Sequence, residues 1–311
     1  PQLVAGPIVR ASQLLPQLQR KITLKQEQVT QGLFLIATGM VKKVAIADYL
    51  SVNLVDRVFD QPELYSGAEV VIALYGFTMQ IYCDFSGYTD VARGSAKLMG
   101  LELPRNFDRP YQSASPAEFW RRWHMTLSTW LRDYLYYPLG GSHVGPLRAY
   151  WNLWLTMFLI GIWHGASWTF VFYALLQSMA MVIHRFFYRR SGRTRDTVDS
   201  WQVHAFKVFW ALQFVVFSRI LFRATSLQNA ADISARLGSG TFSVAQISTE
   251  VWLLLIGTFV AHYTPKRWFE SIELRFKSMP APAQGVALAA IGLALSLVAT
   301  SQVVPYIYFQ F

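Results

Sequence analysis

Two histidines carry most of the chemistry that this sequence offers. His164 lies inside Ala149–His184, a run of 36 residues with no formal charge. His124 lies forty residues earlier, in EFWRRWHMTLSTW. A neutral imidazole titrates near working pH, which suits it to take a proton from a hydroxyl. An ionisable side chain at membrane depth is a functional-site hypothesis by default. The alternative for either residue is a structural histidine hydrogen-bonded within its fold. The six histidines show no HxxxH or HExxH spacing, so no zinc site is expected. Cys83 is the one cysteine, which leaves neither an intrachain disulfide nor a thiolate cluster. There is no GxSxG nucleophile motif and no Walker or Rossmann glycine pattern. A covalent route through an activated serine of that motif is therefore not indicated.

Asp84 and Asp90 form a second polar constellation, in YCDFSGYTDVARG directly after the apolar Ala68–Cys83. Six positions apart on a helix, they do not share a face. They either cap a broken helix end or line a polar cavity. A lone carboxylate in lipid is costly, so Arg93, Lys97 or an arginine of the next segment is expected to pair with them.

The surrounding elements must hold these groups in a membrane. Over 311 residues the chain is 53% hydrophobic and 15% charged, with a mean hydropathy of +0.27. That charge content is well below the usual quarter. The net charge of +10 sits in short loops between apolar runs. This is the positive-inside pattern and argues against nucleic acid as the partner. The fold class expected is all-α and polytopic, with a lipid bilayer as solvent. The uncharged run would be about 54 Å long as one helix, against a hydrocarbon core of about 30 Å. It must break, and Gly161, Gly165 and Ser167 mark the place.

The expected spans are Val29–Leu50, with Lys42 and Lys43 snorkelling at an interface, then Ala68–Cys83, Val203–Phe222, Ile247–Tyr263 and Ala281–Val304. Residues 51–67 read as polar and turn-rich. Residues 1–28 read as re-entrant or interfacial. Ser115-Pro116-Ala117-Glu118 reads as a capped helix start, and that helix is expected to run unbroken to Pro138 along the interface. The basic segments 93–123, 185–195 and 265–279 fall on the cytoplasmic side, and the weakly charged 223–248 on the other. The chain opens at Pro1 in mid-pattern and is expected to be a fragment whose N-terminal part is absent.

Five ordered blocks then carry a resemblance that covers essentially the whole chain. They are PQLVAGPIVRASQLLPQL, DFSGYTDVARG, FWRRWHMTLSTWLRDYLYYPLGG, GIWHGASWTFVFYALLQ and PYIYFQF. The sequence resembles the membrane-bound O-acyltransferase (MBOAT) family, and within it the bacterial alginate O-acetyltransferase membrane subunits. The resemblance implies one transmembrane domain over 1–311, with helices in a ring around a tunnel and further N-terminal helices before Pro1. It matches His164 to the family's catalytic histidine. His124 matches a second position that is histidine or asparagine in different branches. It implies Trp163, Gly165, Trp120, Arg122, Trp123, Asp84, Tyr88 and Asp90 as substrate or tunnel candidates.

The implied reaction moves an acetyl group from acetyl-CoA, with no bound cofactor, across a bacterial inner membrane. His164 takes the acceptor's proton, and His124, an amide or a tryptophan N–H steadies the acceptor or the oxyanion. The implied partners are periplasmic acetyltransferase subunits and an exopolysaccharide. Other polymers within the family are cellulose, peptidoglycan, or teichoic acid by D-alanylation. A non-catalytic transporter or scaffold is the reading from another class.

Overall fold

The computed structural model describes residues 6–192, 197–299 and 304–306, and every regular element among them is helical. In chain order the α-helices are α1 (Ala11–Gln19), α2 (Gln26–Met40), α3 (Asp56–Asp60), α4 (Gly67–Leu98), α5 (Pro116–Arg122), α6 (Met125–Leu131) and α7 (Pro146–Trp163). They continue as α8 (Trp168–Arg190), α9 (Trp201–Arg223), α10 (Leu227–Leu237), α11 (Thr249–Tyr263), α12 (Lys266–Ser278) and α13 (Ala281–Val298). Residues 1–5, Arg193, Arg195, 300–303 and 307–311 lie outside the described residues. With them go parts of the first and last resemblance blocks and of the 185–195 basic loop.

The chain forms two compact units. Among the described residues one holds 6–56, 76–106, 247–299 and 304–306; the other holds 57–75, 107–192 and 197–246. In the first, α2 and α4 approach through small residues. A Cβ at Gly39 would meet the Gly87 carbonyl at 2.6 Å, and one at Gly32 would meet the Gly94 carbonyl at 2.9 Å. Glycines seven apart on both helices therefore allow backbone-to-backbone contact, a familiar device between membrane helices.

Beyond Met40 the chain winds on through π-helical turns, Val41–Asp48 and Ser51–Val55, into α3. The expected polar turn at 51–67 is thus helical as far as Asp60. Lys42 and Lys43 do not snorkel either. Lys43 is buried and pairs with Asp84 and Asp48, each at 2.7 Å. Lys42 pairs with Asp90 at 2.6 Å, and Arg93 lies 3.5 Å from the same carboxylate. These pairs explain why α4 runs unbroken through both aspartates, where a broken end was one expectation. Two adjacent lysines neutralise two carboxylates in place, so α4 need not fray to expose them to water.

In the second unit α7 and α8 form an antiparallel hairpin, closed by 164–167. The uncharged run breaks where its glycines and Ser167 stand. The two helices pack more extensively than any other pair described. Gly161 makes this possible, because a Cβ there would collide with Ala174.

Among the described residues α8, α9 and α13 are long and apolar enough to cross a bilayer, and α11 is a shorter apolar helix. α8 leaves Phe172, Met179 and Ile183 uncovered, and α13 leaves Val286, Leu293 and Leu297. Apolar faces of this kind are what lipid covers. The chain is a membrane protein. The 223–248 and 265–279 segments contain α10 and the amphipathic α12.

Candidate active site

His164 closes α7. Its backbone is still helical, with φ −71° and ψ −21°, and its N–H donates to the Gly161 carbonyl at 3.2 Å. Its ring turns back along the helix, and Nδ1 lies 2.7 Å from the Ile160 carbonyl. A carbonyl only accepts, so Nδ1 carries the proton and Nε2 carries the lone pair. The ring is buried and packs edge-on against Phe222, with centroids 5.4 Å apart. The Gly165 that follows has a steric reason to be glycine, since a Cβ there would run into the Phe170 ring.

His124 is held differently. The helix expected from Ser115 to Pro138 stops at Arg122 and restarts at Met125. Between them His124 takes a left-handed backbone conformation, φ 44° and ψ 53°. That conformation is uncommon for a non-glycine residue and costs of order 1–3 kcal/mol. It is maintained by its surroundings. The Asp108 N–H donates to the Arg122 carbonyl at 2.9 Å, just ahead of the kink. Asp108 is itself followed by Arg109, the only other described non-glycine residue with positive φ. The kink swings His124 inward, 3% exposed, where a continuous amphipathic helix would leave it at an interface. Its ring lies 6.4 Å from the Trp163 ring, and Trp163 in turn lies 5.3 Å from His164. Burial first, and the neighbouring His164 second, push the His124 pKa down to about 3. His124 is thus neutral and able to donate or accept one hydrogen bond.

The remaining aromatic candidates form the wall that supports it. The helix start is as expected: Ser115 Oγ accepts from the Glu118 N–H at 3.2 Å, and Glu118 reaches back to the Ala114 N–H at 2.9 Å. Glu118 also pairs with Arg122 at 2.7 Å, so that guanidinium serves α5 itself. Trp123 is buried, stacked on Phe119 and edge-on to Phe107. Trp120 is buried and donates from Nε1 to Gln177 at 3.3 Å; Gln177 donates onward to Ser218 at 3.2 Å. This chain ties α5 to α8 and α9, the three helices that carry the walls.

Asp84, Tyr88 and Asp90 belong to the other unit. There Asp84 and Asp90 are held by the lysine pairs, and Tyr88 packs edge-on to Tyr306 at 4.8 Å. Sequence reasoning missed Lys42 and Lys43 as their partners, taking the two amines for interfacial anchors. It also missed Arg219, Tyr173, Gln177 and Ser218. For Arg219 a signal existed: it is a charge within the apolar run of α9, in its last turns. Gln177 and Ser218 are neutral and carry no periodic signature.

A buried imidazole with a fixed tautomer, a second neutral imidazole nearby and an aromatic enclosure can perform base-assisted transfer onto a hydroxyl. The chain belongs to the membrane-bound O-acyltransferase family, whose sequence profile matches residues 1–226. Among curated proteins it is 36% identical to a peptidoglycan O-acetyltransferase of Helicobacter pylori, over 80% of this chain and 47% of that one. It is 34% identical to a probable alginate O-acetylase AlgI of Pseudomonas putida, over 100% of this chain and 67% of that one. It is 29% identical to a teichoic acid D-alanyltransferase of Bacillus subtilis, over 60% and 49% respectively. The chain thus spans about half to two thirds of the length of these relatives.

Proposed function

We propose that this chain is the histidine-bearing part of a membrane O-acyltransferase. It moves an acetyl group from acetyl-CoA on the cytoplasmic side to an acceptor on the far side, for O-acetylation of an exopolysaccharide of alginate type. The observation that carries this reading is the His164 ring, buried and fixed as the Nδ1–H tautomer by the Ile160 carbonyl. In that state Nε2 takes the proton of an acceptor hydroxyl while the oxygen attacks the thioester carbonyl. The resulting imidazolium returns the proton to the leaving thiolate. His124 positions the acceptor or the carbonyl. Trp163 and Gly165 shape the approach to His164, while Trp120 and Trp123 shape that to His124. Asp84, Tyr88 and Asp90 hold the packing of the other unit.

Donor sidedness follows from charge. Arg93, Lys97, Arg105, Arg109, Arg121 and Arg122 fall in one segment that the positive-inside rule assigns to the cytoplasm. Anionic acetyl-CoA is recruited there, and the protein lies in a bacterial inner membrane with several spans. Periplasmic acetyltransferase subunits then take the acetyl group to the polymer. The alginate reading is favoured by the relative that aligns over the whole chain. Peptidoglycan is the second reading, favoured by the 36% identity to a peptidoglycan O-acetyltransferase. The test uses the full-length protein in sealed vesicles of known orientation. Radiolabelled acetyl-CoA on the cytoplasmic face should label acceptors on the other face. Label that appears only when donor and acceptor share a face contradicts the cross-membrane route.

A further inference from the structure

We propose that Arg219 is a catalytic residue of the transfer step, donating its Nε–H and Nη2–H to the acyl carbonyl oxygen as it becomes an oxyanion. The proposal rests on the acyl-transfer reading above and names the group that stabilises its transition state.

Arg219 sits in the apolar helix α9, between Ser218 and Ile220, and is 2% exposed. Taking a guanidinium out of water is costly, and structures meet that cost with a carboxylate or a fully bonded fork. Neither is present among the described residues. Arg219 Nε and Nη2 are buried and have no acceptor. What surrounds the charge is aromatic: Cζ lies 5.0 Å from the Trp123 ring and 5.4 Å from the Phe222 ring, with Tyr173 beside it. Cation–π contact offsets part of the desolvation and leaves the two N–H directions unused. A guanidinium with a purely structural role would have its fork satisfied by the fold. One kept with donors in hand is prepared for an oxygen that arrives with a ligand.

The location says which oxygen. Phe222 is shared: the His164 ring packs on it at 5.4 Å, as Arg219 does. Trp123, the other ring under the guanidinium, is the residue before His124. Arg219 thus stands against both histidine-bearing segments, within one aromatic enclosure in one unit. A thioester whose carbonyl carbon is attacked by a hydroxyl activated at His164 develops its negative charge within this enclosure. The step balances. The acceptor O–H proton goes to His164, the new C–O bond forms, and the carbonyl π pair moves onto oxygen, which accepts from Arg219. As the C=O re-forms, the C–S bond breaks and the thiolate takes the proton from His164. A fixed cation with preoriented donors in a dry site does not need to reorganise as charge builds.

The test compares wild type, Arg219→Met and Arg219→Lys in the full-length protein, in membrane vesicles carrying its native acceptors. The probe is radiolabelled acetyl-CoA. Fluorescence size exclusion confirms folding. Arg219→Met should lower kcat about 10²–10³-fold, with the KM for acetyl-CoA within about threefold, because the interaction exists only in the transition state. Arg219→Lys, which keeps charge but not the fork, should recover part of kcat. If Arg219→Met does not fold, Arg219→Lys and Arg219→Gln give the same comparison. A folded Arg219→Met with unchanged kcat overturns the proposal. So does a loss confined to KM, which would make the guanidinium a ground-state anchor for donor phosphates or an acceptor carboxylate. If wild type itself transfers nothing from acetyl-CoA, the acyl-transfer reading falls and takes this assignment with it. Loss in Arg219→Met alone bears on Arg219 only.

Discussion

Replacing Lys43 with methionine should be among the most damaging single changes outside the histidine cluster. Its ammonium is shared by two carboxylates, Asp48 and Asp84, each at 2.7 Å. All three side chains are at least 86% buried, so solvent screens them little. Methionine fills similar space and removes the charge, leaving two carboxylates to face each other. Breaking one buried pair costs about 3–5 kcal/mol, and here two are broken at once. Asp84→Asn should cost less, about 1–3 kcal/mol, because Lys43 keeps Asp48. The triple change Lys43→Met, Asp48→Asn, Asp84→Leu should recover most of the loss, since a neutral packed cluster is often as stable as an ionic one. The assay is reversible unfolding of the full-length protein in mixed detergent micelles, read for each variant. Lys43→Met within about 0.5 kcal/mol of wild type, or no difference between it and Asp84→Asn, would refute the reasoning.

Two more predictions concern the histidine cluster's supports. Gln177→Leu leaves the buried Trp120 Nε1 without its acceptor and should cost about 1–3 kcal/mol, measured by thermal melting with Gln177→Glu as comparison. His124→Asn should keep the left-handed kink, because asparagine tolerates it, whereas His124→Ala should melt earlier. The pH dependence adds a sign. The folded-state pKa of His124 lies near 3, below its ordinary 6.5. Stability from the neutral ring is therefore full above about pH 6.5 and is lost as pH falls towards 3. Melting curves between pH 7 and 4 should be flatter for His124→Asn than for wild type.

Much of this architecture is legible in the residues. An uncharged run too long to cross once gave the α7–α8 hairpin. Ser115, Pro116 and Glu118 gave the start of α5. What escaped depended on pairing across elements. Consecutive lysines at the end of an apolar stretch look like an interfacial anchor until Asp84 and Asp90 are seen opposite them. The π-helical turns that present those lysines have no composition signal. The kink at His124 is invisible because Trp123-His124-Met125 has ordinary helix propensity, and tertiary bonds such as Asp108 to Arg122 impose the left-handed residue. Arg219 escaped because two isolated charges, Lys207 and Arg219, do not stop the strongly apolar Val203–Phe222 from reading as a span. A charge inside such a span marks a functional site by default.

The most direct measurement of the central claim is acetyl transfer by the full-length protein with His164 replaced by alanine and by glutamine. Both variants should insert and fold, since the ring's bond to the Ile160 carbonyl is local to α7 and the backbone bond to Gly161 survives the substitution. Loss of a general base predicts that transfer from acetyl-CoA falls about 10²–10⁴-fold in both, with donor binding retained. Transfer at the wild-type rate by a folded His164→Ala protein would contradict the account.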